Sequence, residues 1–151
     1  MNPDPDPRKT IVLDTNVVLD WLLFHDPASA ALQAALRGKG LRWVATSAMR
    51  DELASVLAGG RFDRWCLDTK PLWTGWEQHC EELPTPQALG AAGRFRCTDP
   101  DDQKFIDLAV ACGACWLVSR DRAVLKLARR LRAAGVAVIQ PSAWVAPNPE
   151  Q

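Results

Sequence analysis

Residues 11–19 read Ile-Val-Leu-Asp-Thr-Asn-Val-Val-Leu, and this stretch decides the fold. Its first three residues form an apolar run behind a proline-rich start, which is typical of a strand buried on both faces, as parallel strands are. Asp14 ends the run, and the apolar residues from Val17 to Phe24 predict a helix directly behind it. A strand that passes at once into a helix is a typical start of an α/β domain.

The rest of the chain continues this alternation. Apolar runs predict further strands over 41–45, 116–119 and 136–139. Apolar periodicity predicts helices over 28–36, 101–112 and 122–133, one that begins near Ser47 and ends at Gly59-Gly60, and one or two helices over 61–83 with a break near Pro71. Residues 84–98 form a Pro-, Gly- and Ala-rich connection, and a frayed tail is expected after Pro141. The pattern predicts one α/β domain, a three-layer α/β/α sandwich with a central parallel sheet.

Composition narrows the class of protein. The chain has 151 residues, 48% of them hydrophobic, and a formal net charge of zero, so no overall positive charge indicates a nucleic-acid partner. The N-terminus lacks the apolar segment of an export signal. The longest uncharged apolar stretch, residues 108–119, is shorter than the roughly 20 residues that a membrane span requires. These features predict a soluble cytoplasmic protein without a membrane partner.

The five cysteines are scattered and odd in number, which argues against a disulfide framework. Cys112 and Cys115 have CxxC spacing, but they fall between a predicted helix end and a strand. A redox pair needs its thiolate at a helix N-terminus, and zinc needs a second ligand pair. We therefore expect buried thiols.

Two acids follow predicted strands. Asp14 comes directly after the first strand, and Asp121 comes two residues after Ser119. In an open α/β sheet the ligand crevice lies beyond the carboxyl ends of the strands. Both acids also precede helices, where Asp is a favoured N-cap, so capping is an equally open role for each.

Two further acids lie on the inward side of predicted helices. Glu52 borders an apolar stripe, whereas its neighbour Asp51 points about 100° away. Asp102 heads the inward face of its helix, three, four and seven residues before Phe105, Ile106 and Ala109. Each of these acids also has a possible role outside a functional site. Asp102 could simply favour the helix dipole, and the side chain of Glu52 could point into solvent.

Carboxylates gathered near a core repel one another and are costly to desolvate unless a cation compensates. Mg²⁺ and Mn²⁺ are oxygen-seeking and bind carboxylates together with phosphate oxygens. Metal-assisted phosphodiester hydrolysis is the chemistry that such a group of acids favours. His25 and His79 have no ligand spacing.

Four motifs in order resemble those of the PIN-domain family. They are Ile11-Val-Leu-Asp-Thr-Asn-Val-Val-Leu19, Arg50-Asp-Glu-Leu53, Asp99-Pro-Asp-Asp-Gln-Lys-Phe-Ile-Asp-Leu-Ala109 and Leu117-Val-Ser-Arg-Asp121. A single motif such as Asp-Thr-Asn is weak, but four in sequence are specific. The likeness is strongest to the branch assigned to toxins of bacterial toxin–antitoxin pairs.

The resemblance implies a PIN-like domain over residues 10–146, between a flexible N-terminal segment (1–9) and a C-terminal tail (147–151). It also implies a Mg²⁺- or Mn²⁺-dependent endoribonuclease with Asp14, Glu52, Asp102 and Asp121 as catalytic and metal-binding acids. Asn16 and Ser119 fall at supporting polar positions. Asp99, Asp101 and Asp107 remain open as additions to Asp102 or replacements for it. The implied partners are RNA, an antitoxin protein and a second copy of the chain.

Several residues are candidates for contact with RNA. Arg122, Lys126, Arg129 and Arg130 fall at helical spacing opposite apolar residues and could contact the phosphate backbone, although a solvated surface is the commoner role of such charges. Trp73 and Trp76 could stack on bases, with core packing or partner docking equally open.

Rival functions remain. A haloacid-dehalogenase-like phosphatase needs a second acid at position 16, which is Asn. A phosphate receiver needs an acid pair before the first strand ends and a later Lys behind another strand, and neither is found. The stronger rival is a PIN fold that binds RNA or protein without cleavage.

Overall fold

The apolar run at residues 11–13 forms the centre of a five-stranded parallel sheet. The computed structural model describes residues 8–60, 62, 67–86 and 95–146. Its strands are β1 (Lys9–Leu13), β2 (Leu41–Ala45), β3 (Cys80–Glu82), β4 (Trp116–Val118) and β5 (Ala137–Ile139). They are arranged in the order β3-β2-β1-β4-β5, and every pair is parallel. The predicted α/β fold with a central parallel sheet is confirmed.

Seven α-helices of the described residues flank this sheet. They are α1 (Thr15–Leu22), α2 (Ala30–Arg37), α3 (Ser47–Ala58), α4 (Lys70–His79), α5 (Gln103–Ala111), α6 (Arg122–Leu125) and α7 (Ala128–Ala133). Short 3₁₀ turns cover Pro27–Ser29, Pro100–Asp102 and Pro141–Ala143. None of the described helices is both long and apolar enough to cross a membrane.

The strand order turns at β1, and this position places the site. From β1 the chain moves outward to β2 and β3, and then returns to the other side of β1 for β4 and β5. The backbone N–H of Asp14 donates to the carbonyl of Val118 at 3.1 Å, so β1 and β4 end side by side. Such a reversal of strand order opens a crevice beyond the carboxyl ends of the two central strands.

The segment around Pro71 differs from the prediction of helices over 61–83. Pro71 lies in the first turn of α4, where its missing N–H costs nothing, and does not break a helix. The chain then forms the edge strand β3, which the sequence did not predict because Glu81 and Glu82 are polar and exposed. Backbone pairing to β2 and the ion pair of Arg42 with Glu81 at 2.6 Å hold this strand. Residues 61 and 63–66 lie outside the described residues.

Two further predictions are wrong near the C-terminus. The single helix predicted over 122–133 is two helices, because the N–H of Leu127 bonds to the carbonyl of Val124 in a tighter turn that buries Leu127. The tail predicted after Pro141 instead continues as a 3₁₀ turn followed by Trp144, which is 2% exposed. The ring of Trp144 packs edge-on against Trp116 at 5.5 Å between centroids.

We predict that Val118→Ala lowers the free energy of unfolding by about 2–3 kcal/mol, because it removes two methyl groups from a fully buried site and leaves a cavity. Urea denaturation measures this value. The matched control is Val145→Ala, at a site that is 74% exposed, where we expect a change within about 0.5 kcal/mol. Equal effects of the two substitutions would contradict the placement of β4 in the core.

Candidate active site

The four acids predicted from the sequence line one cleft, although they come from four separate parts of the chain. The cleft has a volume of about 220 Å³. Its lining residues are Asp14, Thr15, Asn16, Glu52, Val56, Asp102, Phe105 and Asp121. The cleft therefore combines carboxylates with a few apolar side chains.

Asp14 is the most buried acid of the cleft, at 4% exposure. Its Oδ1 accepts the backbone N–H of Val17 at 3.0 Å, so it caps α1, and its Oδ2 accepts the hydroxyl of Ser119. Burial raises the pKa of Asp14 to about 6, although these two hydrogen bonds lower it. The capping role and the position in the cleft are thus compatible.

Ser119 connects two of the acids. Its side chain is fully buried directly behind β4. The hydroxyl donates to Asp14 and accepts the backbone N–H of Asp121 at 3.0 Å. Asp121 in turn accepts the N–H of Ala123 at 2.8 Å and caps α6. Asn16, the other supporting residue of the sequence prediction, is exposed and also lines the cleft.

Asp102, Asp121 and Asp99 form a compact carboxylate group. One oxygen from each of the three lies within 4.8 Å of the others. Burial, together with the carboxylates of Asp121, Asp99 and Asp14, raises the pKa of Asp102 to about 8. Asp102 makes no side-chain capping bond to α5, so it does not act as a simple cap.

Asp99 is thus the nearest of the acids that the sequence left open. Its side chain accepts the N–H of Asp101 at 2.9 Å, in the turn that leads into α5. Asp101 is exposed, whereas Asp107 is buried and accepts an amide hydrogen of Gln103 at 3.0 Å. Neither Asp101 nor Asp107 lines the cleft.

Glu52 is half-buried, whereas its helix neighbour Asp51 is exposed, as expected for side chains that point about 100° apart. The Oε1 of Glu52 accepts from the ammonium of Lys104 at 2.7 Å, and its Oε2 accepts from the hydroxyl of Thr15. The sequence interpretation missed Lys104 and Thr15 as members of the site. For Lys104 a signal was present, because it lies two residues after Asp102.

The four basic candidates for RNA contact are exposed. They lie on two short helices separated by the turn at Leu127, so they do not form one continuous helical face. None of them lines the cleft, although Arg122 directly follows Asp121.

The two tryptophan candidates for base stacking have different environments. Trp76 is 3% exposed, packs edge-on against Trp43 at 5.0 Å and donates from Nε1 to Glu82 at 3.0 Å, so it belongs to the core and cannot stack on bases. Trp73 is half-buried, with the guanidinium of Arg50 5.5 Å from its ring centroid.

The described cysteines, at positions 80, 97, 112 and 115, are free thiols, and Cys66 lies outside the described residues. Cys97 is buried and the other three are partly buried. Burial raises the pKa of Cys112, which is the opposite of what an activated redox thiol requires.

The cleft suits an oxygen-seeking dication. Within the described residues, the buried Oδ2 of Asp102 has no hydrogen-bond partner. This unsatisfied oxygen belongs to the group of three carboxylates, and hard cations of charge 2+ take such ligands. The donor set therefore fits Mg²⁺ or Mn²⁺.

We predict that Asp102→Asn stabilises the metal-free protein as pH rises. Because the pKa of Asp102 is raised on folding, the unfolded chain loses this proton first, and wild-type stability falls between about pH 4 and pH 8. Asn does not ionise, so the variant does not lose this stability as pH rises. Since solvent weakens the interactions, we expect a gain in Tm of only about 2–4 °C at pH 8 in a chelator, and none at pH 4.

The control for this melting experiment is Asp51→Asn, an exposed acid outside the cleft. It should leave Tm unchanged at both pH values. A loss of stability in Asp102→Asn at pH 8 would show that the carboxylate is favourable where it lies.

Comparison with known proteins identifies the family and supports the fold. A family model described as PIN domain matches residues 10–123. No curated protein matches the chain. Among solved structures, a chain from the crystal structure of VapBC2 from Rickettsia felis bound to a DNA fragment from their promoter superposes with a TM-score of 0.59. It is 16% identical, and the match covers 85% of this chain and 96% of that one, which supports the fold. Since the family model spans more than half of the sequence, including the segments that carry all four cleft acids, this chain belongs to the PIN-domain family.

Proposed function

We propose that the chain is a metal-dependent endoribonuclease, a hydrolase of RNA phosphodiester bonds. The observation that carries this proposal is the convergence of Asp14, Glu52, Asp102 and Asp121 in one cleft at the turning point of the strand order. Membership of the PIN-domain family supports nuclease chemistry.

Asp14, Asp102 and Asp121 would hold Mg²⁺ or Mn²⁺, and Glu52 would complete the acidic wall of the cleft. When bound, the ion would stabilise the negative charge that develops on the phosphate and help to activate water. The chain's own contribution is orientation. Ser119 donates to Asp14 and accepts the backbone N–H of Asp121, so these two acids are held by the protein itself.

The basic residues that follow Asp121 are proposed contacts for the RNA backbone. Arg122 lies beside the cleft acid in sequence, whereas Lys126, Arg129 and Arg130 would contact phosphates farther along the strand. Asn16, exposed at the cleft, would position a phosphate or a water molecule.

We further propose that the protein acts in the cytoplasm as the toxin of a toxin–antitoxin pair, with an antitoxin protein as its partner and a second copy of the chain as a further one. The motif resemblance to toxin PIN domains supports this role. The fold likeness to a chain of the VapBC2 structure is consistent with it.

We predict that the purified protein cleaves RNA in the presence of Mn²⁺ or Mg²⁺ and that a chelator abolishes the cleavage. Asp14→Asn should lower the rate at least about a hundredfold, because it removes a proposed metal ligand while Oδ1 still caps α1. A fluorescent RNA substrate measures the rate, and thermal melting verifies folding of the variant.

Asp51→Asn is the matched control in this assay, and its rate should equal that of the wild type. Full activity of Asp14→Asn would refute the mechanism. If the protein binds RNA without metal and cleaves it with no divalent ion tested, the alternative of a PIN fold that binds RNA without cleavage would be favoured instead.

We predict that expression of the chain arrests bacterial growth and that co-expression of an adjacently encoded antitoxin restores it. Asp14→Asn should relieve the arrest without the antitoxin. Normal growth despite abundant protein that is active on RNA in vitro would refute the toxin role and leave the nuclease proposal standing.

A further inference from the structure

One cation borders the acidic cleft and pairs with an acid that lines it. The ammonium of Lys104 contacts Oε1 of Glu52 at 2.7 Å, and both side chains are 26% exposed. No other Lys or Arg of the described residues forms an ion pair with a cleft acid within 4.0 Å. Among the described residues, Glu52 thus has a cationic partner within 4.0 Å, whereas Asp14, Asp102 and Asp121 do not.

Lys104 is fixed in this position by more than one contact. Its ammonium also donates to the backbone carbonyl of Asp101, and it lies 5.2 Å from the centroid of the Phe105 ring. The other oxygen of Glu52 accepts from Thr15. These extra contacts already restrict both side chains, so forming the ion pair costs them little further conformational freedom. The pair is therefore held more firmly than a pair of fully exposed side chains.

We propose that Lys104 is a built-in counter-cation and positioning residue of the cleft. It holds Glu52 as its partner and keeps that carboxylate from binding the divalent ion directly. The ion is then bound on the side of Asp14, Asp102 and Asp121. This inference rests on the proposed function and assigns Glu52 a role different from that of the other three acids.

The proposal has an electrostatic consequence. Lys104 and Glu52 together contribute no net charge, so removal of both should leave the attraction for a divalent ion nearly unchanged. Removal of Lys104 alone adds one uncompensated negative charge, and removal of the Glu52 charge alone leaves one uncompensated positive charge. A direct metal ligand would behave differently, because its loss cannot be restored by removal of a neighbouring cation.

The test is a double-mutant cycle on Mn²⁺ affinity, measured by calorimetry with the full chain at fixed pH and ionic strength. We expect Lys104→Met to tighten Kd and Glu52→Gln to weaken it, each by about tenfold, which corresponds to about 1.4 kcal/mol. The double variant should return to within about threefold of the wild type. Lys104→Arg, which keeps the charge, should also remain within about threefold.

Two controls separate this effect from general changes in charge or folding. Lys70→Met has the same charge change at an exposed position outside the cleft, and its Kd should not change. If Lys104→Met fails to fold, as judged by thermal melting, Lys104→Gln replaces it and should give the same tightening.

A double variant as weak as Glu52→Gln would overturn the inference and show that Glu52 binds the ion directly. An unchanged Kd in Lys104→Met would overturn it as well, while Mn²⁺ binding by the wild type would leave the nuclease proposal intact. A wild-type protein that neither binds Mn²⁺ nor cleaves RNA would refute the proposed function, and this inference with it.

Discussion

The buried carboxylate of Asp14 is the constraint on which the fold and the cleft both depend. At the end of the central strand it needs hydrogen-bond donors, since an unpaired buried charge is costly. The N–H of Val17 and the hydroxyl of Ser119 supply them. The first of these bonds begins α1, and the second joins the ends of β1 and β4. The contacts that stabilise the buried charge therefore also build the two walls between which the cleft opens.

Two of the cleft acids, Asp14 and Asp102, are placed where their ionisation weakens the metal-free protein. Burial and the neighbouring carboxylates raise the pKa of Asp102, and its buried Oδ2 lacks a partner within the described chain. A purely structural cluster would gain by replacing one of these acids with an amide. The presence of several such acids in one cleft is better explained by a ligand, because a species that binds only the folded state stabilises it and can offset the destabilising effect of the acids.

The sequence predicts what depends on local pattern and misses what depends on tertiary contacts. The extent of β2 and the placement of Asp14 behind β1 follow from apolar runs with a clear end. The edge strand β3 does not, because two of its three residues are Glu and its stability comes from pairing with β2. The ion pair of Lys104 was not predicted for a similar reason. The position of Lys104 two residues after Asp102 was a signal that it lies near the site, but its partner Glu52 lies 52 residues away, and periodicity carries no information about such a pair.

The charge balance of the cleft also bears on how an RNA strand could enter it. The acidic lining of the cleft repels phosphate, since among the described residues only Glu52 has a cation within 4.0 Å, and the basic residues of α6 and α7 lie outside the cleft lining. A divalent ion would offset most of the remaining negative charge of the cleft. The attraction of Arg122 and its neighbours for the RNA phosphates would then outweigh the repulsion of those phosphates by the acids. On the proposed function, metal binding therefore favours RNA binding. The Lys104–Glu52 pair reduces the repulsion before either ligand arrives, and it does so without occupying the three acids that remain for the ion.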